Sequence, residues 1–159
     1  MDLTAYAPYI DFVYTTLLMA WGGSCIGIGI IAIPYIFKHF DSPTKAAELT
    51  TQILRRQDIL IRVVALSMLV LFYLKSQLTY SYERYEWAFY VVVLHFYIFG
   101  KILSKRLWKM RDKIETFDTP IEGDKKRIRF RRLHIVARFL YAGQILGVII
   151  LLYLHSVGL

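Results

Sequence analysis

Four apolar stretches dominate this sequence, and each is about as long as a bilayer is thick. Phe12 to Phe37 contains no charged residue in 26 positions. Ile59 to Tyr80 is interrupted only by Arg62 and Lys75, Tyr85 to Leu103 only by Glu86 and Lys101, and Ile135 to Leu159 only by Arg138. A hydrocarbon slab of ~30 Å takes roughly 20 helical residues. No stretch shows the polar–apolar alternation of a membrane β-strand. The sequence therefore predicts an all-α, four-helix membrane bundle in one transmembrane domain over 1–159, with spans approximately at 12–37, 59–80, 85–104 and 135–157. Composition agrees: 57% hydrophobic residues in 159 is more than a soluble core of that size absorbs. Disorder is excluded by the same figure, and a disulfide scaffold by the lone Cys25. The residues ahead of the first stretch include Asp2 and Asp11 but no Lys or Arg, so it is not read as a cleaved signal peptide.

The charge is distributed by side. Of twenty basic residues, twelve lie between Lys101 and His134 and four between Lys38 and Asp58, while the segments before the first span and after the last have none. The positive-inside rule then expects loops 38–58 and 105–134 in the cytoplasm and both termini outside, in the inner membrane if the cell is bacterial. Asp41-Ser42-Pro43 is a helix-start signal. Behind it Ala46, Leu49, Ile53 and Leu60, with Gln57 between, predict an amphipathic helix entering the second span or lying on the membrane surface. Leu103, Leu107, Met110 and Ile114 extend the third span, Thr119-Pro120 and Glu122-Gly123-Asp124 break it, and a basic run opens the fourth. In that run Lys125, Lys126, Arg127, Arg129, Arg131 and Arg132 are expected to contact anionic lipid headgroups. A protein-docking role is the alternative, and nothing around the run suits nucleic acid. Tyr6, Tyr9, Tyr80, Tyr82, Tyr85 and Trp87 fit an outer aromatic belt and Trp108 an inner one.

Within the spans, Gly23–Gly27 and Gly143–Gly147 form small-xxx-small pairs. They predict close approach of the first and fourth spans, or else a homodimer seam. Counting from the ends puts Ser24, Ser67, His95 and Gln144 near mid-depth. A polar group there needs a partner, so His95 is expected to point into the bundle toward Gln144, Ser67 or Ser24. It reads as a core histidine, a substrate or proton relay, or a haem ligand. The four histidines lack metal-site spacing, so no metal site is expected. No nucleotide loop or nucleophile elbow is present. No cofactor is required by these residues, and no catalytic constellation is seen.

Trp21-Gly22-Gly23, followed by Pro34 and Phe37, resembles the opening signature of the membrane family with domain of unknown function 4149, which includes the transmembrane protein 205-like proteins. Phe130-Arg131-Arg132-Leu133-His134 at the start of the last span carries the second part of the resemblance, with Gln144 and Gly147 further on. The resemblance implies the same four-helix fold and a membrane location, with no reaction attached. A more distant likeness, to copper-resistance D-type and haem-binding protoporphyrinogen oxidase proteins, would imply haem at His95 or His134. Those proteins carry a histidine in the first helix, where this chain has Tyr14. Three functions follow as expectations: a non-enzymatic accessory subunit or tolerance factor in a larger membrane complex, a haem- or quinone-linked redox protein, or a small-molecule carrier with a mid-membrane site at His95.

Overall fold

Backbone groups in hydrocarbon have no water to bond, so a chain this apolar satisfies them internally as helix. The structure, a computed structural model, describes residues 4–78, 84–114, 116–118 and 124–157. After a 3₁₀ turn at Thr4–Tyr6 come α1 (Ala7–Ile26), a π-helical segment (Gly27–Ala32), α2 (Ile33–His39), α3 (Pro43–Leu78), α4 (Arg84–Arg111) and α5 (Lys125–Val157). Among the described residues, four helical stretches are long and apolar enough to cross a membrane: Ala7–His39, Pro43–Ser76, Tyr85–Arg111 and Lys125–Val157. This is the all-α four-helix bundle that the apolar stretches predict.

The first stretch bends its hydrogen-bond register without ending. Pro34 has no N–H, and in an unbroken α-helix its ring would press on the carbonyl four residues earlier. Ahead of it the helix widens, and the Ile33 N–H donates to the Ile28 carbonyl five residues back. The second stretch needs no such device. Its 36 residues form one helix, about 54 Å long at 1.5 Å per residue. The amphipathic segment therefore runs on into the second span as one helix. Its inward face is Ala46, Thr50, Gln57 and Ile61, whereas Leu60, expected inside, is exposed. At 100° per residue, Ile61 and not Leu60 stays in line with Gln57.

The helices form a ring in the order α3, α1, α5, α4. α4 and α5 run side by side, because Gly143 gives its space to the Phe96 ring and Gly147 to the Val93 side chain. α1 lies against α5 with Gly22 on Val148 and Gly29 on Tyr141. Within the chain this changes which span the small-xxx-small pairs serve. Gly143 and Gly147 serve the third span, not the first, and a side chain on Gly23 or Gly27 would meet nothing within 4 Å. The last seam, α3 against α4, is spanned by large side chains. Phe72 packs on Trp87 and Tyr90 at ring-centroid distances of 5.2 and 4.7 Å. The Tyr90 hydroxyl donates to the Ala65 carbonyl at 2.7 Å.

The connectors at the basic end are fastened to each other. The Asp118 carboxylate accepts the Thr44 N–H at 3.1 Å and the Ser42 hydroxyl at 3.1 Å, and the Phe117 N–H donates to Thr44 Oγ1 at 2.8 Å. The start of α3 is thus capped by a residue 74 positions away in sequence. Asp124 caps α5 by accepting the Lys126 N–H at 2.8 Å. The predicted breaks at Thr119-Pro120 and Glu122-Gly123 lie outside the described residues, as do Tyr80 and Tyr82 of the aromatic belt.

Two outcomes test this packing. Gly147→Ala is expected to lower the thermal midpoint in detergent, overpacking costing about 1–3 kcal/mol, while Gly23→Ala leaves it unchanged or higher. Equal damage from both, read by circular dichroism, would contradict the assignment of the glycines. The Asp118 carboxyl is held below the usual carboxylate range, chiefly by the Thr44 backbone N–H and then by the Thr44, Ser42 and Thr116 hydroxyls. A lowered pKa stabilises the charged form, so the staple is present at neutral pH and lost as the pH falls through that lowered value. Protection of the Thr44 N–H from exchange should fall there, and Asp118→Ala should show the same loss already at neutral pH.

Candidate functional site

Charged and polar side chains meet in two layers, one near each end of the bundle. At the end away from the basic connectors, Lys75 of α3 lies 3.3 Å from Asp11 of α1 and 3.5 Å from Glu86 of α4. Glu86 is also 3.1 Å from His155 Nδ1 of α5. The ammonium of Lys75 sits 4.7 Å above the ring of Tyr14, whose other neighbours include the His155 ring at 4.7 Å. All four spans contribute. Glu86 is 3% exposed although it lies in the first turn of α4. Acids and bases at that depth persist by pairing.

Toward the basic end, Gln57 and Asp58 are consecutive on α3 and so point about 100° apart. Gln57 turns to α1 and α5: its Nε2 donates to the Tyr141 hydroxyl at 2.9 Å and lies 3.5 Å from Cys25 Sγ. The Tyr141 hydroxyl in turn donates to the Cys25 carbonyl at 2.9 Å. Asp58 turns to α4. Its carboxylate accepts the Tyr97 hydroxyl at 3.1 Å and pairs with Lys101 Nζ at 3.2 Å and Arg62 Nη2 at 2.8 Å. Along α1 and α5 the two layers are fourteen residues apart, from Asp11 to Cys25 and from Tyr141 to His155. That is about 21 Å at 1.5 Å per residue. The slab between is filled by Leu18, Val64, Met68, Val93, Val148 and Leu151, all nearly fully buried.

Two buried polar atoms next to the second layer have no bonding partner among the described residues, Trp21 Nε1 and Gln144 Oε1. Both lie against one turn of α4. The Trp21 ring meets Tyr97 edge-on at 5.8 Å, and the Gln144 amide lies over Gly100.

The expected mid-membrane cluster is not assembled. Gln144 is buried, but Ser24 turns back to donate to the Trp21 carbonyl at 2.9 Å, and Ser67 is only half-buried. His95 is exposed on the outer face of α4, and its Nδ1 lies 2.7 Å from the Val91 carbonyl. This overturns its expected inward orientation. The physical reason lies in the α4 register: Val93, Tyr97 and Gly100 form the inward line, and His95 falls two residues off it. His134 is exposed near the basic end, its ring parallel to Phe130 at 5.9 Å. Phe96 faces Gly143, nine residues beyond His134, so the two histidines sit about 14 Å apart in height and cannot share one iron. No group of three or more metal-binding side chains occurs among the described residues.

Other predicted residues divide by face. Trp21 and Gly22 of the opening signature point inward, while Gly23, Pro34 and Phe37 are exposed; Phe130 and Leu133 are half-buried. In the basic run Lys125, Lys126, Arg129, Arg131 and Arg132 are exposed as a lipid contact requires. Arg127 is not. It is 7% exposed, donates to the Phe117 carbonyl at 3.2 Å and stacks over the Phe117 ring, so it anchors the connector from inside.

Sequence reasoning read Lys75, Glu86, Arg62 and Lys101 only as charges at the edges of spans. A signal did exist. Asp58 and Arg62 stand four apart on one helix, as do Tyr97 and Lys101 on another.

Glu86→Ala is expected to destabilise the bundle by about 3 kcal/mol, because it strips a buried pair of one partner. Combining it with Lys75→Met should restore part of the loss, since the second charge is then gone as well. A thermal-unfolding double-mutant cycle reads this, and strictly additive losses would show that the two residues do not interact.

No family model, no curated protein and no solved structure matches the chain.

Proposed function

We propose that this chain is a non-enzymatic integral membrane protein that serves as an accessory subunit of a larger membrane assembly, its basic end in the cytoplasm. One observation carries the reading. Between the two ionic layers, among the described residues, His95 is the one acid, base or histidine, and it faces outward. Its Nδ1 is engaged with the Val91 carbonyl, which leaves Nε2 of this exposed ring without a hydrogen bond among the described residues. An imidazole nitrogen in hydrocarbon is unfavourable unless something bonds it. A neighbouring transmembrane helix with a hydroxyl or amide donor at mid-depth supplies that bond.

The surroundings support the same reading. On α4, Val92, Phe99 and Ile102 continue the exposed face on either side of His95. Such a stripe packs against a partner helix by van der Waals contact, with His95 fixing its register. The charged groups deeper in the bundle are spent on one another in the two layers, an arrangement that suits a rigid element better than a moving carrier. The exposed basic residues Lys125, Lys126, Arg129, Arg131 and Arg132 suit contact with an anionic leaflet. The family resemblance of Trp21 to Phe37 and Phe130 to His134 is consistent with a small membrane protein without a reaction of its own.

Mild-detergent extraction followed by native electrophoresis tests the proposal. The unaltered chain is expected to migrate in a complex, and His95→Leu as the single chain with an unchanged circular-dichroism melt. A complex of the same size in both would place the contact elsewhere. Migration of the unaltered chain alone, or a Soret band in the purified protein, would overturn the accessory role, the latter in favour of the haem-linked alternative.

A further inference from the structure

The two ionic layers differ in their charge balance. In the layer around Lys75 the acids outnumber the lysine, since Asp11 and Glu86 share it and His155 stands beside Glu86. In the layer around Asp58 a single carboxylate serves two permanent cations, Arg62 and Lys101. Tyr97 gives Asp58 a hydroxyl proton and no charge. Another lysine, Lys105, stands one turn further along α4 and is exposed. The layer therefore holds a surplus of positive charge.

Its position makes the surplus unfavourable in isolation. Arg62 is thirteen residues from Lys75 along α3, and Lys101 is fifteen from Glu86 along α4. These are heights of about 20 and 22 Å, within a hydrocarbon slab of ~30 Å. The guanidinium that pairs with Asp58 is on the outside of the bundle: the Arg62 side chain is 52% exposed against 18% for Asp58. A cation so placed draws an anion toward it.

Where α4 and α5 touch along their backbones, α3 and α4 approach only at isolated points, kept apart by Phe72, Tyr90 and Tyr97. At this level the seam is bridged by Tyr97 and Lys101 bonding to Asp58, and the exposed Arg62 side chain stands at its outer edge. Ile59 and Val63 on α3 and Ile98 on α4 flank these residues, all exposed and apolar.

We propose that this seam binds one anionic phospholipid, its phosphodiester held by Arg62 and Lys101 and its acyl chains lying along the apolar flanks. The site is separate from the basic run at Lys125 to Arg132, which meets the leaflet as a whole. It does not depend on the accessory-subunit reading, since His95 lies on another level of α4. Cations at a helix–helix seam on the basic side recognise a headgroup by charge and by hydrogen bonds together.

Native mass spectrometry of the full chain, released from detergent micelles containing phosphatidylglycerol or phosphatidylcholine, tests the proposal. One retained phosphatidylglycerol per chain is expected, with little phosphatidylcholine. Arg62→Gln leaves a neutral Asp58–Lys101 pair and should fold, and it should weaken retention about tenfold by removing a charge-assisted hydrogen bond. Lys126→Gln should change nothing. Asp58→Asn raises the surplus and should strengthen retention; if that variant does not fold, Lys101→Gln replaces it and should weaken retention as Arg62→Gln does. Equal retention in Arg62→Gln and the unaltered chain would overturn the proposal. So would displacement of the lipid by millimolar inorganic phosphate, because a free anion would then satisfy the site without acyl chains.

Discussion

Charge inside hydrocarbon has to be paired, and this demand organises the bundle. Each end of the apolar slab is closed by a layer in which acids and bases from different spans meet, Lys75 with Asp11 and Glu86 at one end and Asp58 with Lys101 and Arg62 at the other. Hydrophobic burial cannot hold these helices together as it would in water, because lipid tails are as apolar as leucine. The work falls to close packing, to hydrogen bonds such as Tyr90 to Ala65 and Tyr141 to Cys25, and to the ion pairs. Breaking any of them leaves a group in a medium that offers no replacement.

The seams of the ring follow from side-chain size. Glycines on α5 bring α4 into backbone contact, while aromatic residues hold α3 away from α4. The first span adjusts around Pro34 by widening into a π-helical segment. Within that segment Gly29 admits the Tyr141 ring, whose hydroxyl reaches the Cys25 carbonyl. A local backbone irregularity and a polar contact between spans thus share one place. At the basic end, Asp118 ties the third connector to the start of α3, so the two cytoplasmic loops expected from charge counting behave as one fastened unit.

Much less of the candidate site than of the fold could be read beforehand. His95 lies between the two layers, whereas Gln144 sits beside the second. Direction was not legible. His95 was expected inside and Gly143 opposite the first span, and both expectations failed for one reason. When core and solvent are both apolar, a helix need not show a polar side to mark its outer face, and α1 has almost no amphipathicity at all. The residues that do meet across spans, Gln57 with Tyr141 and Asp58 with Lys101, are separated by 84 and 43 positions. Nothing local links them.

The sequence by itself determined the number of spans, their helical state and the side on which the basic residues gather. These depend on the transfer of each segment from water to lipid, which accumulates residue by residue and needs no knowledge of neighbours. Only the tertiary structure decided which face of each helix turns inward, and hence which polar groups pair and which is left to the lipid. Each residue rotates that face by about 100°, and the rotation is set by interlocking glycines, aromatics and ion pairs from four helices at once.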